Sequence, residues 1–142
     1  MIIKIELLKK SDLDECANII FEEFNKQGEG FSKKTALQRT EGSFVPGLAL
    51  CVKKGKKIIG LVLASSFHYA KGEYIWVDEL VVREEFQKTG IGKQLMVELE
   101  KIAKGKKMSA LGLNTRQLNF KFYENLGFEK TDYFYVEKDL RK

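Results

Sequence analysis

The sequence predicts an α/β protein in which a strand, a glycine loop and a long helix follow one another directly. The spacing of apolar residues changes from helical in the first third of the chain to alternating in the middle. The stretch from Leu80 to Leu95 then passes from a β-branched run through a loop with Gly90 and Gly92 into helical spacing. At 142 residues, 44% of them hydrophobic, the chain fits one domain, residues 1–142, with a substantial core.

The N-terminal part of the chain predicts one strand and two helices. Apolar and polar residues alternate over the first eight positions, which favours a strand. The first helix carries an apolar stripe from Leu13 to Phe24, and the glycines Gly28 and Gly30 break it. The second helix starts after Ser32, whose side chain offers an N-cap.

The middle of the chain predicts three consecutive antiparallel strands. Gly55, flanked by lysines, marks a hairpin turn between the first two, and a turn around Gly72 separates the second from the third. The third strand leads into the glycine loop and a helix that ends at Gly105, and a strand, a short helix and a final strand follow. The predicted bounds are strands at 2–8, 48–52, 58–67, 74–82, 110–114 and 127–138, and helices at 12–26, 31–40, 90–104 and 117–126.

The glycine loop predicts an anion site. Gly90 and Gly92 have no Cβ atoms, so a ligand can approach the backbone closely, and the free N–H groups of the following helix favour negative charge. A phosphate or pyrophosphate suits such a site. The P-loop motif does not match, because Gln94 follows Lys93, and the dinucleotide-binding motif does not match, because Leu95 stands in place of its third glycine.

Two segments resemble motifs of one enzyme family. Gln87-x-x-Gly90-x-Gly92 resembles the acetyl-CoA-binding motif of the GNAT family of N-acetyltransferases, which usually reads Gln/Arg-x-x-Gly-x-Gly/Ala. The segment from Phe122 to Phe128 resembles the family's Phe-Tyr-Glu-x-Leu-Gly-Phe segment. The predicted order of strands and helices matches the family as well. The glycines alone are equally consistent with an ordinary strand-to-helix turn.

The resemblance implies a single-domain fold with a mixed, mostly antiparallel sheet of about six to seven strands and helices on both faces. Two neighbouring strands, which end near Val82 and Asn114, splay apart in this fold and admit the pantetheine arm of acetyl-CoA, the cosubstrate. The backbone of Leu80 and Val82 would pair with that arm. Asn119 would contact a pantetheine amide, and the pyrophosphate would lie on the loop residues Gln87, Lys88, Thr89, Gly90, Ile91, Gly92 and Lys93.

The implied reaction transfers an acetyl group to a primary amine of a small molecule or peptide by direct attack in a ternary complex. Tyr123 would protonate the leaving thiolate, or it would be a structural or cofactor-positioning phenol. The amine must first lose a proton, and the candidate bases are Glu79, Asp78 and an ordered water. Because side chains alternate along a strand, Asp78 and Glu79 are expected on opposite faces, so at most one enters the cleft. His68 is a further candidate base or a surface residue.

The acceptor site is expected among the first two helices and their loop. Glu22, Glu23 and Glu29 would suit a cationic amine there or would simply face water. Tyr133 and Tyr135 of the final strand could contribute to the same site. The alternative function is a non-catalytic module that binds acyl-CoA as a regulatory ligand or serves as a partner-binding domain.

Composition argues against several other classes of protein. The net charge of +5 comes from lysines scattered among acidic residues, so no nucleic-acid partner is expected. Two lysine clusters, at 53–57 and 104–107, are interpreted as solvated turns or as contacts to a cofactor phosphate. No apolar run approaches the roughly 20 residues of a membrane span and no signal peptide is evident, which predicts a cytoplasmic protein without a membrane partner. Cys16 and Cys51 predict buried free thiols rather than a metal site. An exposed C-terminal edge strand would permit a homodimer.

Overall fold

The computed structural model describes residues 4–141 of the chain. These residues fall into two compact units that divide between Gly112 and Leu113. The first unit holds most of the sheet and three helices, and the second contains a short helix and a C-terminal segment without regular secondary structure. The prediction that residues 1–142 form one domain stays a prediction.

The order of elements is the predicted one as far as the last helix. The bounds are β1 Ile5–Leu7, α1 Leu13–Asn25, α2 Lys33–Gly42, β2 Leu50–Lys54, β3 Lys57–Tyr69, β4 Gly72–Val82, α3 Ile91–Gly105, β5 Ala110–Leu113 and α4 Phe120–Glu124. Short 3-10 turns precede α1, α3 and α4. Ser32 caps α2 as predicted, because its side chain accepts the N–H of Thr35 at 3.0 Å. Ile2 and Ile3 of the predicted first strand lie outside the described residues.

Within residues 4–141 the sheet has five strands in the order β1-β2-β3-β4-β5, not the predicted six to seven. The prediction of a final strand at 127–138 is wrong, since residues 128–141 form no strand and the side chains of Tyr133, Phe134 and Tyr135 are at least 70% exposed. Consecutive aromatic and β-branched residues, here Tyr133 to Val136, favour a strand. A strand also needs a neighbour for its backbone groups, and within 4–141 this segment has none. The homodimer inferred from such an edge strand stays a prediction.

Helices cover both faces of the sheet, as predicted. On one face, hereafter the α1/α2 face, α1 and α2 pack on β3 and β4 through a cluster that includes Cys16, Ile19, Ile20, Ala36, Leu61, Leu63 and Val81. On the other face, hereafter the α3 face, α3 lies close to Gly60 of β3, where a Cβ atom would meet Ile91 at 3.0 Å. Burial of each large apolar side chain contributes about 1.5–3 kcal/mol to this core.

The long β3–β4 hairpin contains a bulge that shapes the site described below. Leu63 pairs with Glu79 and the next residue, Ala64, pairs with Val77, so Asp78 is one extra residue in β4. Strands β1 to β4 are antiparallel throughout.

The last strand, β5, has a different direction relative to its neighbour β4 from that of the other strand pairs. The N–H of Ser109, just before β5, donates to the carbonyl of Glu73 at 2.8 Å, and Gly112 lies against the ring of Trp76. Strand β5 is therefore parallel to β4 and accompanies the first half of it, which makes the sheet mixed. Among residues 4–141, no helix has both the length and the apolar character needed to cross a membrane.

Candidate active site

The glycine loop, residues 87–93, joins β4 to α3 through left-handed backbone. Lys88 has a φ of 62° and Gly90 a φ of 89°, a conformation that glycine adopts without strain. The first hydrogen bond of α3 runs from the N–H of Gln94 to the carbonyl of Gly90 at 3.0 Å. The N–H groups of residues 90–93 precede that bond, so helix geometry gives them no acceptor within α3.

Open space faces this end of α3. No described atom would lie within 4 Å of a Cβ built on Gly90, and Lys88 and Thr89 are exposed. Ile91 turns its side chain into the core, where it is 1% exposed, so only its backbone is available to a ligand. Amide groups and a positive helix end in open space make this loop suitable for an anion.

Two polar side chains of the loop bond to the protein itself. The side-chain amide of Gln87 donates to the carbonyl of Val82 at 2.9 Å, which ties the loop to the end of β4. The hydroxyl of Thr89 donates to the carbonyl of Phe86. Lys88 and Lys93 are the exposed cations of the loop. Lys54, from one of the two lysine clusters, places its Nζ 5.3 Å from the ring centre of Phe86, at the base of the loop.

A buried ionic network anchors the start of the loop to α1. Nη1 of Arg83, a residue 9% exposed, lies 2.8 Å from Oε2 of Glu22, and this hydrogen bond lowers the pKa of Glu22. Glu23, 3% exposed, accepts the N–H of Glu84 at 3.1 Å and Nζ of Lys26 at 3.2 Å. Glu22 and Glu23 thus bond to the segment that leads from β4 to the loop, and a role for them toward an acceptor stays a prediction.

The second half of β4 keeps one backbone edge open within the first unit. On the β3 side, Leu80 pairs with Val62 and Val82 pairs with Gly60. On the other side, β5 lies beside the first half of β4, and no strand among residues 4–112 lies beside Leu80 to Val82. The carbonyl of Val82 accepts Gln87 with one lone pair and retains a second.

Asp78 and Glu79 meet α2 at the bulge. Nε of Arg39 donates to Oε1 of Glu79 at 2.8 Å, and Nη2 of Arg39 donates to the backbone carbonyl of Asp78 at 3.0 Å. Oδ2 of Asp78 is buried and has no hydrogen-bond partner among the described residues. The extra residue interrupts the strict alternation from which opposite faces are predicted for these two side chains.

The surroundings of Glu79 raise its pKa above the usual value of 4.5. Burial is the largest cause, because it disfavours the charged carboxylate, and the nearby carboxylates of Asp78 and Glu29 act in the same direction. The hydrogen bond from Arg39 opposes them by favouring the charged form. A partly buried carboxylate with a raised pKa, positioned by a guanidinium, has the properties of a general base.

His68 lies away from these groups. It pairs with Glu73 near the end of the hairpin and is exposed on the α3 face. Glu79 pairs with Leu63 on the α1/α2 face. The structure does not bring His68 and Glu79 together. Within residues 4–141, no group of three or more His, Cys, Asp and Glu side chains is arranged to hold a metal ion.

The second motif forms the end of α4. The N–H of Gly127 donates to the carbonyl of Glu124 at 3.0 Å, and the N–H of Phe128 donates to the carbonyl of Tyr123 at 3.1 Å. These are the two bonds of a Schellman motif, and Gly127 has the left-handed φ of 94° that it requires. The rings of Tyr123 and Phe128, 5.7 Å apart, supply its apolar contact. The prediction that Gly127 ends this helix is confirmed.

Tyr123 is held through its ring on two sides. The ring centre of Phe122 is 4.9 Å away, nearly perpendicular, and that of Phe128 is 5.7 Å away. Asn119 is the N-cap residue of α4 and is exposed. Both belong to the second unit, whereas Asp78, Glu79 and the glycine loop belong to the first.

Comparison with known proteins identifies the family. The model of the acetyltransferase (GNAT) family matches residues 13–128, which include both motifs. The chain belongs to the GNAT family. No curated protein sequence matches this GNAT chain.

Solved structures share the fold of this GNAT chain. A possible acetyltransferase from Clostridium difficile 630 is 16% identical, with a TM-score of 0.83 and 100% of both chains covered. A predicted acetyltransferase with acetyl-CoA from Clostridium acetobutylicum is 15% identical, with a TM-score of 0.81 and 98% and 97% coverage. Ribosomal-protein-alanine N-acetyltransferase from Brucella melitensis biovar Abortus 2308 is 21% identical, with a TM-score of 0.80 and 97% and 99% coverage.

Sequence reasoning misses two features of the site. Arg39 belongs to no motif, and its only signal is its position three residues after Ala36, on the side of α2 that packs on the sheet. The bulge at Asp78 has no glycine or proline to mark it. Both depend on contacts between distant parts of the chain.

Proposed function

We propose that this GNAT-family chain transfers an acetyl group from acetyl-CoA to a primary amine of a small molecule or peptide, by direct attack within a ternary complex. The proposal rests on one observation: the N-terminal end of α3 at Gly90 faces open space, and it directly follows a half of β4 whose outer backbone edge no strand of the first unit covers. CoA needs both features, because its diphosphate suits helix amides and its amide-bearing arm suits a strand edge. A protein of this fold from Clostridium acetobutylicum was crystallised with acetyl-CoA, which supports the same ligand here.

Each part of the glycine loop has a role in holding the cosubstrate. Backbone amides of residues 88–93 hold the diphosphate, and the exposed ammonium groups of Lys88 and Lys93 add positive charge. Gln87 acts through Val82, whose carbonyl it fixes. The backbone of Leu80 and Val82 pairs with the pantetheine arm, and Asn119 contacts one of its amides.

Glu79 is the proposed base. The acceptor is an ammonium ion near neutral pH, since an alkylamine has a pKa of roughly 10, and the carboxylate of Glu79 takes its proton. The free nitrogen lone pair attacks the thioester carbonyl carbon, the C–N bond forms and the C–S bond breaks. Glu79 is favoured over Asp78 because burial raises its pKa and Arg39 positions it.

Tyr123 is the proposed acid, which gives its hydroxyl proton to the leaving thiolate. The second proton that the nitrogen loses as the amide forms goes to solvent, from which Tyr123 recovers its own. The support is the family motif and a ring that two neighbours hold. No cysteine lies in either motif, and burial raises the pKa of Cys16 to about 12 and of Cys51 to about 11. Such thiols are poor nucleophiles, which supports direct attack over an acyl-enzyme.

The test is release of CoA thiol from acetyl-CoA in the presence of a panel of primary amines, with the purified protein and with Tyr123→Phe. The variant keeps the ring contacts, so we expect unchanged CoA affinity. We expect kcat to fall by at least about tenfold, less than the strongest general-acid effects because a thiolate of pKa about 8.5 leaves readily. CoA binding without turnover of any amine would favour the alternative, a non-catalytic acyl-CoA-binding module.

A further inference from the structure

Glu23, near the end of α1, is a buried carboxylate. Its side chain is 3% exposed, whereas that of the preceding residue, Glu22, is 51% exposed. Removal of a carboxylate from water is costly unless partners inside the protein replace the lost water. The partners of Glu23 therefore indicate what this buried position contributes.

Glu23 joins α1 to the segment that leads from β4 into the glycine loop. Its Oε1 accepts the N–H of Glu84 at 3.1 Å, and its Oε2 lies 4.0 Å from Nη1 of Arg83. Nζ of Lys26, on the same side of α1, donates to Oε2 at 3.2 Å. The two cations compensate the buried charge at one oxygen, and the other oxygen bonds to the backbone of the loop segment.

The N–H that Glu23 accepts is one that the loop segment does not satisfy by itself. Glu84 begins the 3-10 turn Glu84–Phe86, and the first N–H groups of a helical turn have no acceptor within it. The side chain of Arg83, which precedes the turn, makes no capping hydrogen bond. The carboxylate of Glu23, 61 residues away in the chain, supplies the acceptor in its place.

The position of this turn determines the position of the glycine loop. The N–H of Gln87, the first residue of the loop, donates to the carbonyl of Glu84 at 3.2 Å. The residue that Glu23 holds is thus bonded directly to the loop, and Gly90 follows three residues later. Hydrogen bonds weaken steeply when distance or angle departs from the optimum, so a displaced turn would misplace the amides of the loop for a bound anion.

We propose that Glu23 is a positioning residue for the cosubstrate. It fixes the 3-10 turn and, through it, the amide groups of residues 88–93 that receive the diphosphate. This inference rests on the proposed function for the identity of that ligand. Without the hydrogen bond to Glu84 the turn is free to move, and the diphosphate must order it on binding, which lowers affinity. The reacting groups, Glu79 and Tyr123, are left unchanged.

The first measurement is a calorimetric titration of the purified protein with CoA. We expect Glu23→Ala to weaken the affinity about 3- to 10-fold, the size that one intramolecular hydrogen bond gives. We expect Glu23→Gln to restore most of the affinity, because its amide oxygen still accepts the N–H of Glu84. Wild-type affinity in Glu23→Ala, or equal losses in the two variants, would overturn the proposal.

Glu15 offers a matched control on the same helix. Its Oε2 accepts the N–H of Ile58 in β3 at 2.6 Å, so Glu15→Ala also removes a bond from α1 to a backbone N–H. We expect both alanine variants to unfold at lower urea concentration and only Glu23→Ala to bind CoA more weakly. Equal losses of CoA affinity would indicate a general loosening of α1 and would overturn the proposal. Glu23→Leu, which also lacks an acceptor, replaces Glu23→Ala if circular dichroism shows that variant unfolded.

A cosubstrate without the diphosphate gives the most specific test. S-acetylpantetheine keeps the thioester and the pantetheine arm of acetyl-CoA. We expect Glu23→Ala to raise KM for acetyl-CoA about 3- to 10-fold, with kcat within about twofold of the wild type, and to leave kcat/KM for acetylpantetheine unchanged. Equal losses with both cosubstrates would overturn the proposal.

Binding and turnover separate this inference from the proposed function. Turnover of an amine together with wild-type CoA affinity in Glu23→Ala would keep the transferase and overturn the positioning role. Weaker CoA binding in Glu23→Ala, without turnover of any amine by the wild type, would keep the positioning role and overturn the transferase.

Discussion

Arg39 on α2 donates a 2.8 Å hydrogen bond to Glu79 on β4, forty residues away in the chain. The same guanidinium donates to the carbonyl of Asp78 at 3.0 Å, so it bridges the side chain of one residue and the backbone of the preceding one. It thereby holds α2 against the bulge and influences the proton affinity of the proposed base.

Replacement of Arg39 should shift the acidic limb of the pH–activity profile to higher pH. Arg39→Met removes the hydrogen bond and positive charge that lower the pKa of Glu79, so that pKa rises further. A general base must be deprotonated, so the fall of kcat/KM on acidification should begin at higher pH than in the wild type. Lys34→Met, at an exposed position on α2, is the matched control. An unchanged acidic limb would argue against Glu79 as the base.

Glu79→Gln should lower activity and raise stability. As the proposed base, Glu79 should contribute about 10²–10⁴-fold to kcat/KM at neutral pH. Its pKa is raised in the folded state, so above that value its ionisation costs stability, and removal of the charge should raise Tm at pH 7. A larger activity loss in Asp78→Asn than in Glu79→Gln would transfer the role of base to Asp78.

Gly90→Ala should weaken acetyl-CoA binding beyond its effect on folding. A left-handed conformation costs an alanine about 1–2 kcal/mol, and the new methyl group occupies the space proposed for the diphosphate. Gly47→Ala is the matched control, because Gly47 has a φ of 88° against 89° for Gly90 and equally open surroundings. Calorimetry should show similar losses of stability in both variants and lower CoA affinity in Gly90→Ala alone.

The network at Arg83 should make stability depend on pH and on Glu23. The hydrogen bond from Arg83 lowers the pKa of Glu22, so its stabilisation is complete above the unfolded value near 4.5 and is lost as pH falls through the folded value. Glu22→Gln should therefore reduce this acid dependence, at a cost of no more than about 1 kcal/mol at pH 7, because Glu22 is half exposed.

Glu23→Ala should cost more, about 1–3 kcal/mol, because the N–H of Glu84 loses its buried acceptor. Urea unfolding of both variants at pH 7 and pH 4 measures the difference. A smaller loss for Glu23→Ala than for Glu22→Gln would contradict the assigned roles.

The two cysteines should be unreactive in the folded protein. Burial raises the pKa of Cys16 to about 12 and of Cys51 to about 11, and both side chains are fully buried. Iodoacetamide at pH 8 should label neither in buffer and both in urea, as mass spectrometry would show. Rapid labelling of the folded protein would indicate local opening of α1 or β2.

Much of the fold follows from local patterns. The apolar stripe of α1, the Ser32 cap of α2 and the apolar run of β3 each depend on residues close in sequence, and each is confirmed. The left-handed turn at Gly90 and the Schellman motif at Gly127 are signalled by glycines. The predicted strand at 127–138 is wrong because a run of residues with high strand propensity describes one strand and says nothing about a partner.

The surroundings of the candidate site are less predictable. Glu79 and Asp78 are evident from the sequence as carboxylates beside the glycine loop, but Arg39 reaches them only through the packing of α2 on the sheet. In the sequence, Glu22 and Glu23 resemble ordinary surface charges. Only the packing of α1 places them beside Arg83. These pairings join residues 40 to 61 positions apart, which no periodicity in the sequence records.

The single extra residue at Asp78 is the one position of β4 where a residue can be lost without a change of face. Val77 already pairs with Ala64, next to the pair of Leu63 and Glu79, so an in-frame deletion of the Asp78 codon would restore a regular ladder and leave every residue from Gly72 to Val77 on its present surface of the sheet. A one-codon deletion at Ile75 would instead turn the residues on one side of the gap to the opposite surface. A selection for folded protein should therefore accept the loss of Asp78 more readily than the loss of Ile75.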